Sequence, residues 1–160
     1  NKMGLDMYLY ANRYVSQKRL DDNGDMADNL HYNQLLDIVG VNKTDIQDED
    51  TFAGANVGIN IGYWRKANQI HGWFVDNCGE GDDNCRPYTV DRHQLEELKA
   101  ECQEALATKN TDNLPRTEGC FFGSNEIDEY YFEDLKNTIT IIDRALSLPG
   151  QWSYEYQASW

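Results

Sequence analysis

The sequence of 160 residues lacks several features that would assign it to a specialised class of protein. Only three prolines are present, so long disordered stretches are not expected. No apolar run reaches the length of a membrane span, and the apolar stretch at residues 4–10 is too short for a signal peptide. We therefore expect a single cytoplasmic domain over residues 1–160. Asn1 and Lys2 are interpreted as a remnant ahead of a natural start at Met3.

Basic residues are also scarce, since 14 Lys and Arg stand against 28 Asp and Glu for a net charge of −14. General nucleic-acid binding and docking on anionic membranes both need a basic surface, so the charge disfavours these two functions. It suits a basic protein partner, which is a host protein if the chain is phage-encoded, or mimicry of nucleic acid. Acidity that serves solubility alone is the simpler interpretation.

The usual signatures of metal and phosphate sites are missing. The four cysteines form no C-x-x-C pair and the three histidines have no metal-binding spacing. An EF-hand at 76–87 is rejected, because Cys78 and Pro87 fall where that loop needs oxygen ligands. A looser site for a hard cation is the alternative there to an acidic surface loop, which is the simpler interpretation. The glycines between residues 54 and 62 lack the Lys-Ser/Thr of a P-loop and are expected to permit close approach of the backbone. No metal or cofactor is predicted, and free thiols are expected, with a bridge from Cys78 to Cys85 as the alternative.

Hydrophobic residues make up 40% of the chain, enough for a core, and their spacing predicts the elements. Gly40 is predicted to end the first helix, and Asp91 and Gln94 to form a capping box at the start of the third. Their order predicts an α+β fold, a small antiparallel or mixed sheet packed against three to four helices. The predicted strands are 4–15, 57–61 and 120–123, and the predicted helices are 28–40, 64–75, 91–107 and 125–148.

The C-terminal segment, residues 151–160, is rich in aromatic residues. It is expected either to pack as a strand or to dock on a partner. If its rings are exposed, they can pair across a homodimer.

The densest group of chemically useful side chains lies in the basic aromatic segment Tyr63–Phe74. On a helix, Trp64, Asn68 and His71 share one face, with Arg65 beside them. Such a set suits an anionic or nucleobase-like ligand, through stacking, charge-assisted hydrogen bonds and a titratable imidazole. The structural alternative is a half-buried histidine that bonds to a backbone group.

Two carboxylates near the start of the last predicted helix complete the candidate site. Asp128 and Glu129 complement the dipole of that helix, which is a structural role. The functional alternative is that one of them faces His71 or Arg65 across a cleft and orients the imidazole as a general base.

Three blocks of the sequence, distributed over most of the chain, resemble one family. They are Met-Gly-Leu-Asp-Met-Tyr-Leu at 3–9, Tyr-Trp-Arg-Lys-Ala-Asn-x-Ile-His-x-Trp-Phe at 63–74, and Phe-Phe-Gly-Ser at 121–124 followed by Asp-Glu-Tyr-Tyr at 128–131. The family consists of small uncharacterised proteins of bacteriophages and bacteria, so the resemblance implies no particular activity. Together with the acidity, it predicts a phage or prophage accessory protein that binds a protein partner. The alternative is a protein that binds or turns over a nucleotide-like small molecule at the basic aromatic segment.

Overall fold

The computed structural model describes residues 4–48, 52–119 and 122–160, and contacts divide the chain into two compact units. The first unit comprises residues 1–11 and 59–160, and the second comprises residues 12–58. The chain passes into the second unit within strand β1 (Asp6–Ser16) and returns within strand β4 (Gly54–Arg65). The sequence did not indicate this division.

An antiparallel four-stranded sheet, in the order β4-β1-β6-β5, is the framework of the fold, with β5 at Tyr88–Val90 and β6 at Ser153–Ser159. The helices of the first unit are α3 (Asn68–Cys78), α4 (Arg92–Thr108) and α5 (Glu129–Leu146). The predicted α+β class is therefore confirmed.

One face of the sheet supplies the strand side of the first unit's core. Along β1 and β6, buried and part-exposed residues alternate, as the two-residue period of a strand requires. The buried residues that these strands and the residue before β1 contribute to the first unit are Leu5, Met7, Leu9, Ala11, Tyr154, Tyr156 and Ala158. The C-terminal segment is thus a strand, as one alternative predicted, and Tyr154 and Tyr156 are buried within their own chain.

The second unit is built from short elements around a small core. Strands β2 (Lys18–Leu20) and β3 (Met26–Asp28), neither of them among the predicted strands, form an antiparallel hairpin. Helices α1 (Leu30–Val39) and α2 (Lys43–Ile46) follow, the second of them outside the predicted helices. The buried core cluster of this unit is Val15, Tyr32 and Leu36.

Two predicted helix ends are confirmed by their caps. Gly40 ends α1 with a left-handed φ of 75°, which glycine adopts without steric cost. At the start of α4, the Asp91 carboxylate accepts from the Gln94 N–H, and the Gln94 side chain accepts from the Asp91 N–H. These local signals fix the ends because the partners are five residues apart or fewer.

The predicted helix at 64–75 is wrong at its start. Trp64 and Arg65 belong to β4, where their side chains point to opposite faces, and the helix begins at Asn68. Lys66, with a left-handed φ of 56°, turns the chain between the two elements. Trp64, Asn68 and His71 therefore do not form one helical row.

The last helix begins at Glu129 and not near Asn125, with Asp128 as its N-cap. The backbone carbonyls of Phe122 and Ser124 accept hydrogen bonds from Asn68, and that of Glu126 accepts from Arg116. These tertiary bonds hold the segment before Asp128 out of the helix. Cys120 and Phe121 of the predicted strand lie outside the described residues, as does Met3, and Phe122 and Gly123 form no strand.

No helix among the described residues is both long enough and apolar enough to cross a membrane.

Candidate functional site

Trp64 lies inside the core of the first unit, with only 2% of its surface exposed. Its ring packs against Phe74 and Tyr156, with centroids 5.9 and 6.4 Å away, and its indole N–H donates to Thr138 Oγ1 at 2.8 Å. A base could stack on this ring only by displacing one of these neighbours. The geometry therefore favours a structural role for Trp64.

Asn68 is buried at the start of α3 and acts as a clamp between two loop segments. Its Nδ2 donates to the carbonyls of Phe122 and Ser124 at 3.1 and 2.9 Å, and its Oδ1 accepts from the Thr117 N–H at 3.2 Å. With all these bonds made to the chain itself, the amide serves to position the loops.

The sequence-predicted residues Arg65, Asp128 and Glu129 make other contacts. Arg65 is exposed and pairs with Asp6, 3.0 Å from Nη1 to Oδ1. Asp128 caps α5, accepting from the Tyr131 N–H at 3.1 Å, while Glu129 is exposed on the first turn. The carboxylate paired with His71 comes from a different segment of the chain.

His71 is fully buried at the centre of a three-residue hydrogen-bonded chain. Its Nε2 lies 3.0 Å from Asp83 Oδ2, and its Nδ1 lies 2.6 Å from the hydroxyl of Tyr156. The other oxygen of Asp83 accepts from the indole N–H of Trp160 at 3.1 Å. Helix α3, the loop after it and β6 thus meet at one imidazole, and Asp83 links the residue after β6 to the same network.

The protonation state of His71 follows from this network. Burial lowers its pKa, an effect that Asp83 opposes only in part, so the ring is neutral at pH 7. A neutral ring with Nε2–H donating to the Asp83 carboxylate leaves Nδ1 to accept from the Tyr156 hydroxyl. Burial also raises the pKa of Tyr156 well above its usual value, which keeps that hydroxyl protonated.

The Asp-His-Tyr order resembles a catalytic proton relay, but its end group is enclosed. Tyr156 is fully buried and stacks on Phe74 with centroids 4.0 Å apart. A general base must come within hydrogen-bonding reach of the proton it removes, and no substrate reaches this hydroxyl in the folded chain. The network therefore ties the loop around Asp83 and β6 to α3.

A second buried polar network surrounds Arg116, which sequence inspection did not single out. Its side chain is 7% exposed and donates to Gln69 Oε1 and to the Glu126 carbonyl, both at 2.9 Å. Asp134 lies 4.0 Å from Arg116 Nη1 and accepts from Gln69 Nε2 at 3.3 Å. Burial raises the pKa of Asp134 to about 6. Neither residue stood in a recognisable motif, because the network is assembled by tertiary contacts.

Metal and thiol chemistry find little support among the described residues. No group of three or more His, Cys, Asp and Glu there is arranged to hold a metal ion. Cys78, Cys85 and Cys102 are free, so the Cys78–Cys85 bridge is not formed. Burial raises the pKa of both Cys78 and Cys102 to about 12, which leaves them as thiols and poor nucleophiles.

The second unit exposes an unusual number of apolar side chains. Of the described large hydrophobic residues that are exposed, nine lie in residues 12–58 and five in the longer first unit. We call these nine the apolar set of the second unit. They are Tyr14, Leu20, Met26, Leu30, Ile38, Val39, Val41, Ile46 and Phe52.

The same unit is acidic. Residues 12–58 contain four Lys and Arg and nine Asp and Glu, a net charge of −5. Leu20 and Met26 are cross-strand partners in the β2–β3 hairpin, and Ile38, Val39 and Val41 surround the end of α1. Apolar groups are therefore presented among carboxylates, a combination that the sequence pattern did not reveal.

Comparisons with protein-family models, curated proteins and solved structures gave no match to this chain.

Proposed function

We propose that this chain is a phage or prophage accessory protein that acts by binding a basic protein partner through the apolar set of its second unit. The observation that carries the proposal is the concentration of exposed apolar side chains in residues 12–58. The phage or prophage origin rests on the resemblance of the three sequence blocks alone.

Exposed apolar residues need an explanation only when they are concentrated. Single exposed apolar side chains are normal on any protein surface, whereas a large apolar area is typical of an interaction site. Ile38 is 80% exposed and Phe52 is 93% exposed, although contact of an apolar side chain with water is unfavourable. Burial against a partner removes this unfavourable contact and stabilises the complex.

The surrounding charge selects the kind of partner. A unit of net charge −5 in a chain of net charge −14 attracts a cationic protein surface and accelerates its association. The same charge repels nucleic acid, anionic lipid and a second copy of the chain. A partner with a basic surface and apolar groups of its own fits both properties.

The first test is affinity capture from host lysate at low and moderate salt, with three forms of the chain compared. Ile38→Gln removes an apolar side chain from α1 and keeps good helix propensity. Ile127→Gln is the matched control, since Ile127 is 47% exposed in the first unit. The captured protein is then purified and its affinity for each form measured by calorimetry.

We expect one basic protein to bind wild type and Ile127→Gln alike, and to bind Ile38→Gln about tenfold more weakly, as for a central interface residue. Higher salt is expected to weaken every complex. Recovery of no specific partner, or equal losses for the two variants, contradicts the proposal.

A further inference from the structure

The second unit contains a preformed cleft of about 360 Å³ beside α1, lined by Asn33, Leu36, Asp37, Val41, Asn42 and Lys43. The turn that closes it is fixed by two backbone bonds, Gly40 N–H to Asp37 O and Val41 N–H to Leu36 O. This pair of bonds is a Schellman motif, which brings the apolar side chains of Leu36 and Val41 together. Clefts of this size hold small groups such as single side chains.

The wall of the cleft formed by α1 offers oxygen acceptors. Asn33 and Asp37 are four residues apart on α1 and therefore lie on the same side of the helix. The Asp37 side chain is exposed, and the Asn33 Oδ1 is shielded from water and accepts no hydrogen bond from any described residue. An unpaired acceptor of this kind is unfavourable, so a donor that reaches it from the cleft stabilises the protein.

The one basic group in the lining is partly neutralised by a neighbour. The Lys43 ammonium lies 3.9 Å from the Asp28 carboxylate on β3, and the same carboxylate pairs with Lys18 at 3.0 Å. The cleft has an apolar floor, with the Asp37 carboxylate, two asparagine amides and the Lys43 ammonium at its edge.

We propose that this cleft binds an arginine or lysine side chain of the basic partner, an assignment that rests on the proposed function. The methylene stem packs on Leu36 and Val41, as the stems of basic side chains do on apolar surfaces. The cationic head group donates to the Asp37 carboxylate in a charge-assisted hydrogen bond. The side-chain torsion of an asparagine amide is soft, so a rotation brings Asn33 Oδ1 to a second N–H of the head group.

Other occupants fit less well. An anionic group would face the Asp37 carboxylate at close range. An apolar side chain would strip water from that carboxylate without giving it a hydrogen bond, and would leave Asn33 Oδ1 unpaired.

The test is a titration of the ¹⁵N-labelled full chain, followed by the amide shifts of residues 33, 36, 37 and 41. The probes are N-acetyl-arginine amide and N-acetyl-lysine amide, with N-acetyl-citrulline amide as the neutral control of nearly the same shape. Saturable shifts centred on these residues are expected, with a Kd on the order of 1 mM for so small a ligand. The citrulline probe is expected to bind at least about tenfold more weakly.

Asp37→Asn is expected to weaken the arginine probe about tenfold, because the charge-assisted bond is lost. Asp22→Asn is the matched control, since it removes the same charge from the exposed turn of the hairpin. Equal binding of citrulline and arginine, equal losses in the two variants, or the absence of saturable shifts at these residues overturns the assignment. The citrulline comparison uses the wild type, so it decides the question even if Asp37→Asn is misfolded.

The outcome is separable from that of the proposed function. If the arginine probe does not bind while Ile38→Gln still weakens the captured partner, only the cleft assignment fails. If the probe binds and no basic partner is captured, the proposed function fails and the cleft remains a site for cationic groups.

Discussion

His71 is held by two hydrogen bonds in the core, and its contribution is expected to be to stability. His71→Ala removes a fully buried ring and leaves the Tyr156 hydroxyl without its partner. We expect a loss of about 2–4 kcal/mol in the free energy of unfolding, from lost packing and an orphaned polar group. Urea denaturation measures it.

Tyr156→Phe provides the comparison for His71, because it removes only the hydroxyl. Its cost is expected to be about 1–2 kcal/mol, since Nδ1 of His71 loses its donor and no cavity is created. If the free energy of unfolding of His71→Ala is within about 0.5 kcal/mol of the wild-type value, the network does not hold the loop and β6 to α3.

Asp134 is expected to give stability a pH dependence opposite to that of an ordinary paired carboxylate. Its pKa is about 6 in the folded chain, raised from 3.8 mainly by burial. Between pH 4 and 6 the folded chain therefore binds a proton that the unfolded chain has released, and this contribution to stability is lost as the pH rises. Asp134→Asn removes this titrating group. We expect the free energy of unfolding of the variant to equal that of wild type near pH 4 and to exceed it by about 1 kcal/mol at pH 7, allowing for solvent screening.

Urea denaturation of both chains at several pH values tests this expectation. The difference between them cancels the contribution of His71, whose lowered pKa makes stability fall as the pH drops below 6.5. Glu133→Gln is the control for loss of a carboxylate charge, since Glu133 is exposed and next to Asp134 in sequence. A difference between Asp134→Asn and wild type that does not change between pH 4 and 7, or one that Glu133→Gln reproduces, contradicts the prediction.

At the scale of elements, the start of α5 tests whether local sequence or tertiary contacts decide where a helix begins. Asp128→Ala removes the carboxylate that accepts from the Tyr131 N–H and is expected to cost about 1 kcal/mol. Asn125→Ala changes the residue at which the predicted helix 125–148 begins, and is expected to cost less than about 0.5 kcal/mol. Thermal or urea unfolding of the two variants decides between the two starts, and the reverse order of costs places the cap near Asn125.

The contact of β4 with α5 depends on a glycine, as the sequence suggested for the glycines of this region. A Cβ atom on Gly62 would lie 2.4 Å from Cγ2 of Ile141. Gly62→Ala is therefore expected to destabilise the chain by about 1–3 kcal/mol through overpacking. Gly150→Ala, where a Cβ would meet nothing within 4 Å, is the control and is expected to stay within about 0.5 kcal/mol of wild type. Similar free energies of unfolding for the two variants would show that β4 and α5 adjust to the added methyl group without strain.

For the whole molecule, the sequence predicted what short-range patterns determine. The strand at β1, the glycine that ends α1 and the capping box of α4 depend on residues within a few positions of each other. The starts of α3 and α5 were missed because distant partners set them. Asn68 and Arg116 capture carbonyls between residues 122 and 126, and Trp64 is needed in the core on β4. Helix propensity depends on the local residue types and carries no information about bonds to distant residues.

The candidate site was predictable to the same extent. The sequence showed that the segment around His71 is dense in polar and aromatic groups, and one of its two interpretations paired the imidazole with Asp128 or Glu129. The carboxylate partner is Asp83 and the second partner is Tyr156, twelve and 85 residues away along the chain. A spacing argument on helices could find neither. The exposed apolar set was missed because exposure is a property of the folded chain.

The two units are expected to differ in local stability, which bears directly on binding. Among the residues that the structure describes, the core cluster of the second unit has three buried residues, whereas that of the first has 27. Opening the second unit therefore exposes less apolar surface and costs less free energy. Hydrogen exchange is expected to be faster in peptides from residues 12–48 than in those from α4 and α5, through openings that leave the first unit folded.

A pair of core variants tests whether the second unit opens independently of the first. Leu36→Ala weakens the small core and is expected to accelerate exchange in residues 12–48 alone. Leu98→Ala, in α4, is expected to lower the global stability and accelerate exchange throughout the chain. Binding of the partner at the apolar set adds burial to the weaker unit, so protection is expected to rise there first. Equal exchange in the two units, or a response to Leu36→Ala spread over the chain, would mean that they unfold as one.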